Sequence, residues 1–188
     1  MDKKILKRIW EDQQYVWGSI IVYYMATFLI NQEHPLKNGK DHFWNYMVVG
    51  FCIYKISFFL LYIYEVMWWG VKNNKSFRNI LLYIWYIVML IQVSFALDYF
   101  YLFSIQNNSF KGLSVSTSYL YNFCELLYFS VITMGTIGYG DIVPQGLTAR
   151  SLVSLEVISY LTFIILIIAN YSNLKDAFNT KDPNIGDL

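Results

Sequence analysis

Thr136-Ile137-Gly138-Tyr139-Gly140-Asp141 places two glycines two residues apart between long apolar flanks, and the chemistry open to such a stretch lies in its main chain. Gly138 and Gly140 carry no Cβ and take positive φ without steric cost. With positive φ at both glycines and at the residues between them, the carbonyls of Thr136, Ile137, Gly138 and Tyr139 can face one line, and the Thr136 hydroxyl adds a further oxygen below. Oxygens spaced by one residue suit a hard, dehydrated monovalent cation, provided several copies of the stretch surround it. Enzyme chemistry finds less support. His34 and His42 share one loop with Glu33 and Asp41, and no nucleophile or metal-ligand spacing recurs inside an apolar segment.

From Ser130 through Pro144 the chain resembles the pore family of potassium channels. The family's Thr-x-Gly-Tyr-Gly-Asp stands here as residues 136–141, with Ile137 for the commoner valine and Pro144 three residues after Asp141. The resemblance implies a selectivity filter of Thr136, Ile137, Gly138, Tyr139 and Gly140, with K+ held at the first four as the permeant ion and no organic cofactor. It puts Asp141 at the outer mouth, where a ring of carboxylates concentrates cations. Tyr128 and Phe129 stand where the family often has two tryptophans that support the filter. Tyr128 keeps a hydroxyl to donate to Asp141, whereas Phe129 has none to offer Tyr139, so this filter is expected to be less firmly braced and more prone to inactivate or pass sodium. One chain supplies one strand of a ring, so the implied partners are identical subunits in a homotetramer, within a lipid bilayer and without nucleic acid. Two alternatives stay open. One is a poorly selective monovalent cation channel, against which Tyr139 argues; the other is a non-conducting membrane subunit that modulates another channel.

The elements that must position this stretch are apolar helices. Of the 188 residues, 56% are hydrophobic, 20% aromatic and only 14% charged, a balance that fits an integral membrane protein. Apolar runs cover 15–30, 43–71, 80–105 and 147–172, against roughly 20 residues needed to span a bilayer. The expected fold is therefore all-α and membrane-embedded. It has four transmembrane helices, with a re-entrant pore helix over 119–135 and an extended filter between the third and fourth. The segment 15–30 is the weakest span; an interfacial helix or a signal-peptide core are its alternatives, but no cleavage site follows it. Expected units are a cytoplasmic basic segment (1–14), two peripheral helices (15–71), a pore domain (80–172) and a short cytoplasmic tail (173–188) too small to hold a ligand-binding domain. Nine of the 14 Lys and Arg residues flank the spans on one side, which puts both termini of this multi-pass cell-membrane protein in the cytoplasm.

Within those elements, Asn122 is placed to cap the pore helix, with Glu125 three residues on as a capping-box partner. Leu161, Ile164 and Ile168 share one face of the inner helix and are candidates to line a cavity. That helix has no glycine between Gly146 and Gly186 and no proline between Pro144 and Pro183, so the usual hinge is missing. Lys55, Glu65, Asp98 and Glu156 are the ionisable residues inside the spans; they form no repeat of gating charges, and Lys55 is expected to pair with Asp98. Cys52 and Cys124 read as small buried side chains.

Overall fold

The computed structural model describes residues 42–72, 77–106, 108–114 and 118–170, together with Gly18. The 15–30 span, the basic segment before it and the 173–188 tail lie outside the described residues. Among the described residues three helices are long and apolar enough to cross a membrane: α1 (His42–Lys72), α2 (Phe77–Ile105) and α4 (Gly146–Ala169). A bilayer interior offers the backbone no hydrogen bonds, so uninterrupted apolar sequence of this length closes its amides within helices. Between α2 and α4 lies α3 (Tyr119–Met134), whose 16 residues reach only about 24 Å at 1.5 Å per residue, short of a roughly 30 Å hydrocarbon core.

Each spanning helix buries one stripe. On α2 the stripe is Ile80, Ile84, Ile87, Ile91, Phe95 and Leu102, a three-and-four spacing that keeps one face inward. Its counterpart on α1 runs through Val48, Cys52, Phe59, Ile63 and Met67 while Ile53, Tyr54, Leu61 and Trp68 face outward. In that position α1 packs against both α2 and α4, and α3 packs chiefly against α2. α1 thus flanks α2 and α4 of its own chain.

Two charged residues occupy the α1 and α2 stripes. Lys55 Nζ lies 2.5 Å from Asp98 Oδ2 and donates to Ser94 Oγ at 2.8 Å, with both charged side chains almost fully buried. The Phe51 and Phe95 rings flank the ammonium at 5.6 and 5.9 Å. The expected pairing is therefore present, and it joins α1 to α2. Of the cysteines, Cys52 is buried as expected but Cys124 is exposed on the surface of α3.

A short antiparallel ribbon closes the loop around α3. β1 (Phe110–Lys111) pairs with β2 (Val143–Pro144), with Phe110 opposite Pro144 and Lys111 opposite Val143. Gln145 N–H donates to the Ser109 carbonyl at 2.7 Å to extend it. Next to the ribbon, Gly112 takes a φ of 92°, and a Cβ there would sit 1.8 Å from the Asp141 carbonyl oxygen, so only glycine fits. The segment before α3 is in this way clamped to the segment after Asp141.

Removing one member of a buried ion pair leaves the other charge uncompensated, which costs about 3–5 kcal/mol, whereas replacing both with apolar groups is close to neutral. Lys55→Met is expected to destabilise the protein in detergent by that amount, and Lys55→Met/Asp98→Leu to recover most of it. Denaturant titration of the three proteins checks this; a single variant as stable as the wild type would show that the pair is no tie between α1 and α2.

Candidate cation-binding segment

The turn out of α3 sets the geometry of residues 135–138. Four successive amides point back at the last turn of that helix. Gly135 N–H donates to Val131 at 2.9 Å, Thr136 N–H to Thr133 at 3.0 Å, and Ile137 and Gly138 N–H share the Ile132 carbonyl at 2.9 and 3.4 Å. Carbonyls that a helix terminus would leave without partners are satisfied in this way. There is no cis peptide bond among the described residues, and in a trans peptide the N–H of one residue opposes the C=O of the residue before it. The carbonyls of Thr136 and Ile137 are consequently turned away from α3.

The φ signs alternate along the segment. Thr136, Gly138 and Gly140 are positive at 53°, 55° and 77°, while Ile137 and Tyr139 are not. Alternation of hand at successive residues gathers the amides on one side of the chain, as in an anion-binding nest, and leaves the carbonyls on the other. This corrects the expectation that the residues between the glycines would share their positive φ: Tyr139 has a Cβ and stays on the negative side, and it is Thr136 that crosses over. A β-branched residue in the left-handed region is a true outlier, at a cost of about 1–2 kcal/mol. The bonds of the Thr136, Ile137 and Gly138 amides to α3 hold it there. Around Gly138 and Gly140 a Cβ would meet nothing within 4 Å, so φ alone demands glycine at those positions.

The two supporting residues read from the sequence part company. Tyr128 Oη donates to Asp141 Oδ2 at 2.7 Å, and Asp141 Oδ1 accepts the Ile142 N–H at 2.9 Å. The Tyr128 hydroxyl, then the Ile142 amide, hold the Asp141 carboxyl below its usual range, against some opposition from desolvation. Phe129, one residue and 100° further round the helix, turns inward instead. Its ring packs edge-on against Tyr99 at 5.3 Å and Phe110 at 5.5 Å, a buried aromatic triad that joins α3, α2 and β1 rather than supporting 136–141. Tyr139 is 70% exposed in one protomer, with no hydrogen bond from its hydroxyl among the described residues.

Other placements differ from the sequence reading as well. The helix begins at Tyr119 after Ser118, so Asn122 lies inside its first turns, buried, and does not cap it. Glu125 faces the preceding loop, where its carboxylate accepts Ser114 N–H at 3.2 Å, Ser114 Oγ at 2.8 Å and Tyr121 Oη at 3.1 Å. On α4, Leu161 and Ile168 lie on an exposed stripe with Ile158 and Ile165, whereas Ile164 is half-buried beside it. The helix runs unbroken, in keeping with its lack of glycine and proline. Sequence reasoning gave no role to Ser130, Glu156 or Gly112. A lone acid in the apolar run of α4 was a signal for Glu156, whereas nothing local marks Ser130 or the close approach at Gly112. Among the described residues no three His, Cys, Asp or Glu side chains gather as metal ligands.

Residues 85–174 match a protein-family model described as ion channel, a stretch just under half of the chain that takes in most of α2 and all of α3, the 135–141 segment and α4. No curated protein and no solved structure matches the chain. The matched stretch is thus similar to an ion-channel domain, in a multi-pass membrane protein with three apolar spans among its described residues.

The lowered Asp141 titration has a definite sign. The Tyr128–Asp141 contact is intact above the ordinary carboxylate value and is lost only as pH falls through the lowered one. Tyr128→Phe is expected to move the Asp141 midpoint up toward that ordinary value, near 3.9. Carbon NMR of the labelled carboxyl in micelles reads it directly; an unmoved midpoint in the variant would mean that the hydroxyl does not hold the carboxylate.

Proposed function

We propose that the chain is a subunit of a potassium-selective channel, in which four copies surround an axis and K+ crosses passively through rings of main-chain oxygens. The observation that carries this reading is the direction of the Thr136 and Ile137 carbonyls, turned from α3 by the bonds of the next residues' amides to the Ile132 carbonyl. One protomer leaves residues 135–141 exposed on that side, so a cation there has oxygens on only part of its surface. Closed cyclic symmetry completes the shell.

In this reading, carbonyls of Thr136, Ile137, Gly138 and Tyr139 replace the ion's hydration water, at several sites weak enough to pass it on. Gly140 lets the chain leave the axis, and Asp141 raises cation concentration at the outer mouth while Tyr128 anchors it. The C-terminal end of α3 carries partial negative charge and faces a cation waiting below. Leu161 and Ile168 line the inner cavity with Ile164 at its margin. The distribution of Lys and Arg supports cytoplasmic termini. No ladder of gating charges occurs in the sequence, so the proposed pore has no voltage sensor of the usual kind. One observation favours a second reading, a less selective monovalent cation pore: Phe129 is turned into the core, which leaves Tyr128 and Asp141 as the direct brace within one protomer.

Reconstituted vesicles under a potassium gradient are expected to show flux that barium blocks and that sodium does not replace. Sodium flux of similar size would select the less selective pore, and absence of any flux would leave a non-conducting subunit. Gly138→Ala is expected to abolish the flux with assembly intact, since a Cβ at positive φ costs about 1–2 kcal/mol in each of four copies. Normal conduction by that variant would refute the backbone described above.

A further inference from the structure

Glu156 is an acid in the middle of an apolar helix, and it is 1% exposed. Both of its carboxyl oxygens are engaged. Oε1 accepts from Ser130 Oγ on α3, and Oε2 accepts from Tyr99 Oη on α2, each at 2.5 Å. Ser130 and Tyr99 are themselves fully buried. The Ser130 hydroxyl also lies 3.3 Å from the Gln92 carbonyl of α2, and Ser159 Oγ donates to the main-chain carbonyl of Glu156 at 2.7 Å. A polar group at this depth is costly unless its hydrogen bonds are made. An alanine or leucine would serve if packing were all that the position required.

What makes the contact more than packing is where Ser130 stands. Two residues further along the same helix, the Ile132 carbonyl receives the Ile137 and Gly138 amides whose bonds turn the Thr136 and Ile137 carbonyls outward. Ser130 and Ile132 belong to one helical turn, and a turn moves as a unit. We infer that Glu156 is a positioning residue for ion selectivity: through Ser130 it fixes the last turn of α3 against α4, and through that turn it sets the placement of the filter carbonyls. This rests on the channel reading above. A ring of oxygens discriminates between cations only while its spacing is held, so loosening this tie widens the ring and admits sodium.

The closing experiment measures reversal potentials of the full-length protein in bilayers with potassium on one side and sodium on the other. Glu156→Leu and Ser130→Ala are each expected to lower the potassium-to-sodium permeability ratio by about tenfold, the scale of one buried hydrogen bond. Glu156→Gln, which keeps an acceptor and a side chain of the same shape, is expected to restore most of the ratio. Tyr99→Phe removes the other bond but leaves the Ser130 link and the aromatic packing, and is expected to stay near the wild type. Should Glu156→Leu fail to assemble, Ser130→Ala, which loses a single hydroxyl, decides the matter. Wild-type ratios in Ser130→Ala overturn the inference, as does an equal fall in Ser130→Ala and Tyr99→Phe, which would mark a general loosening of the core. A wild-type protein that conducts no potassium overturns the channel reading itself, an outcome distinct from either.

Discussion

A trans peptide cannot point its N–H and its C=O the same way, and residues 136–138 are shaped by that constraint. Their amides are spent on the carbonyls at the end of α3, which forces the preceding carbonyls to the opposite side. The strain of a left-handed Thr136 is accepted for the same reason. Once the direction of these oxygens is set by α3, the placement of α3 becomes the problem the rest of the structure solves. The aromatic triad of Tyr99, Phe110 and Phe129 fastens it to α2 and the ribbon. The Glu156 carboxyl group fastens it to α4, and the ribbon itself, with Gly112 pressed on the Asp141 carbonyl, closes the far end of the segment.

Polar groups are few inside the described helices, and two buried clusters of them reach across helix boundaries. Lys55 with Asp98 and Ser94 joins α1 to α2; Glu156 with Ser130 and Tyr99 joins α4 to α3 and α2. In a medium where apolar side chains gain little by leaving lipid for protein, hydrogen bonds between helices help specify which helices meet. The exposed apolar stripe of α4, by contrast, has no partner within one protomer and is left for the proposed cavity.

How much was legible beforehand divides along a physical line. The spanning helices follow from apolar run length, and the 43–71, 80–105 and 147–172 segments fall within a few residues of α1, α2 and α4. Alternating glycines marked the 136–141 segment because the φ they permit is a local property. Tyr128 was found through the resemblance, and the Lys55–Asp98 pair through the cost of a charge in lipid. What escaped was set by tertiary packing. Asn122 and Glu125 look like a cap until the helix is seen to start at Tyr119. Phe129 faces the core because of the rotation of α3 against α2, which no local pattern encodes. The positive φ of Thr136 comes from hydrogen bonds to a preceding helix, not from any preference of threonine.

The central claim is that these carbonyls face an axis shared by four copies, and the most direct measurement is a density map of the assembled protein in a bilayer mimic, recorded with rubidium or thallium in place of potassium. The account predicts a fourfold assembly with a row of heavy-ion peaks on the axis, the carbonyls of Thr136, Ile137, Gly138 and Tyr139 directed at them. Ions absent from the axis, residues 136–140 turned from it, or an assembly of only two protomers would contradict it.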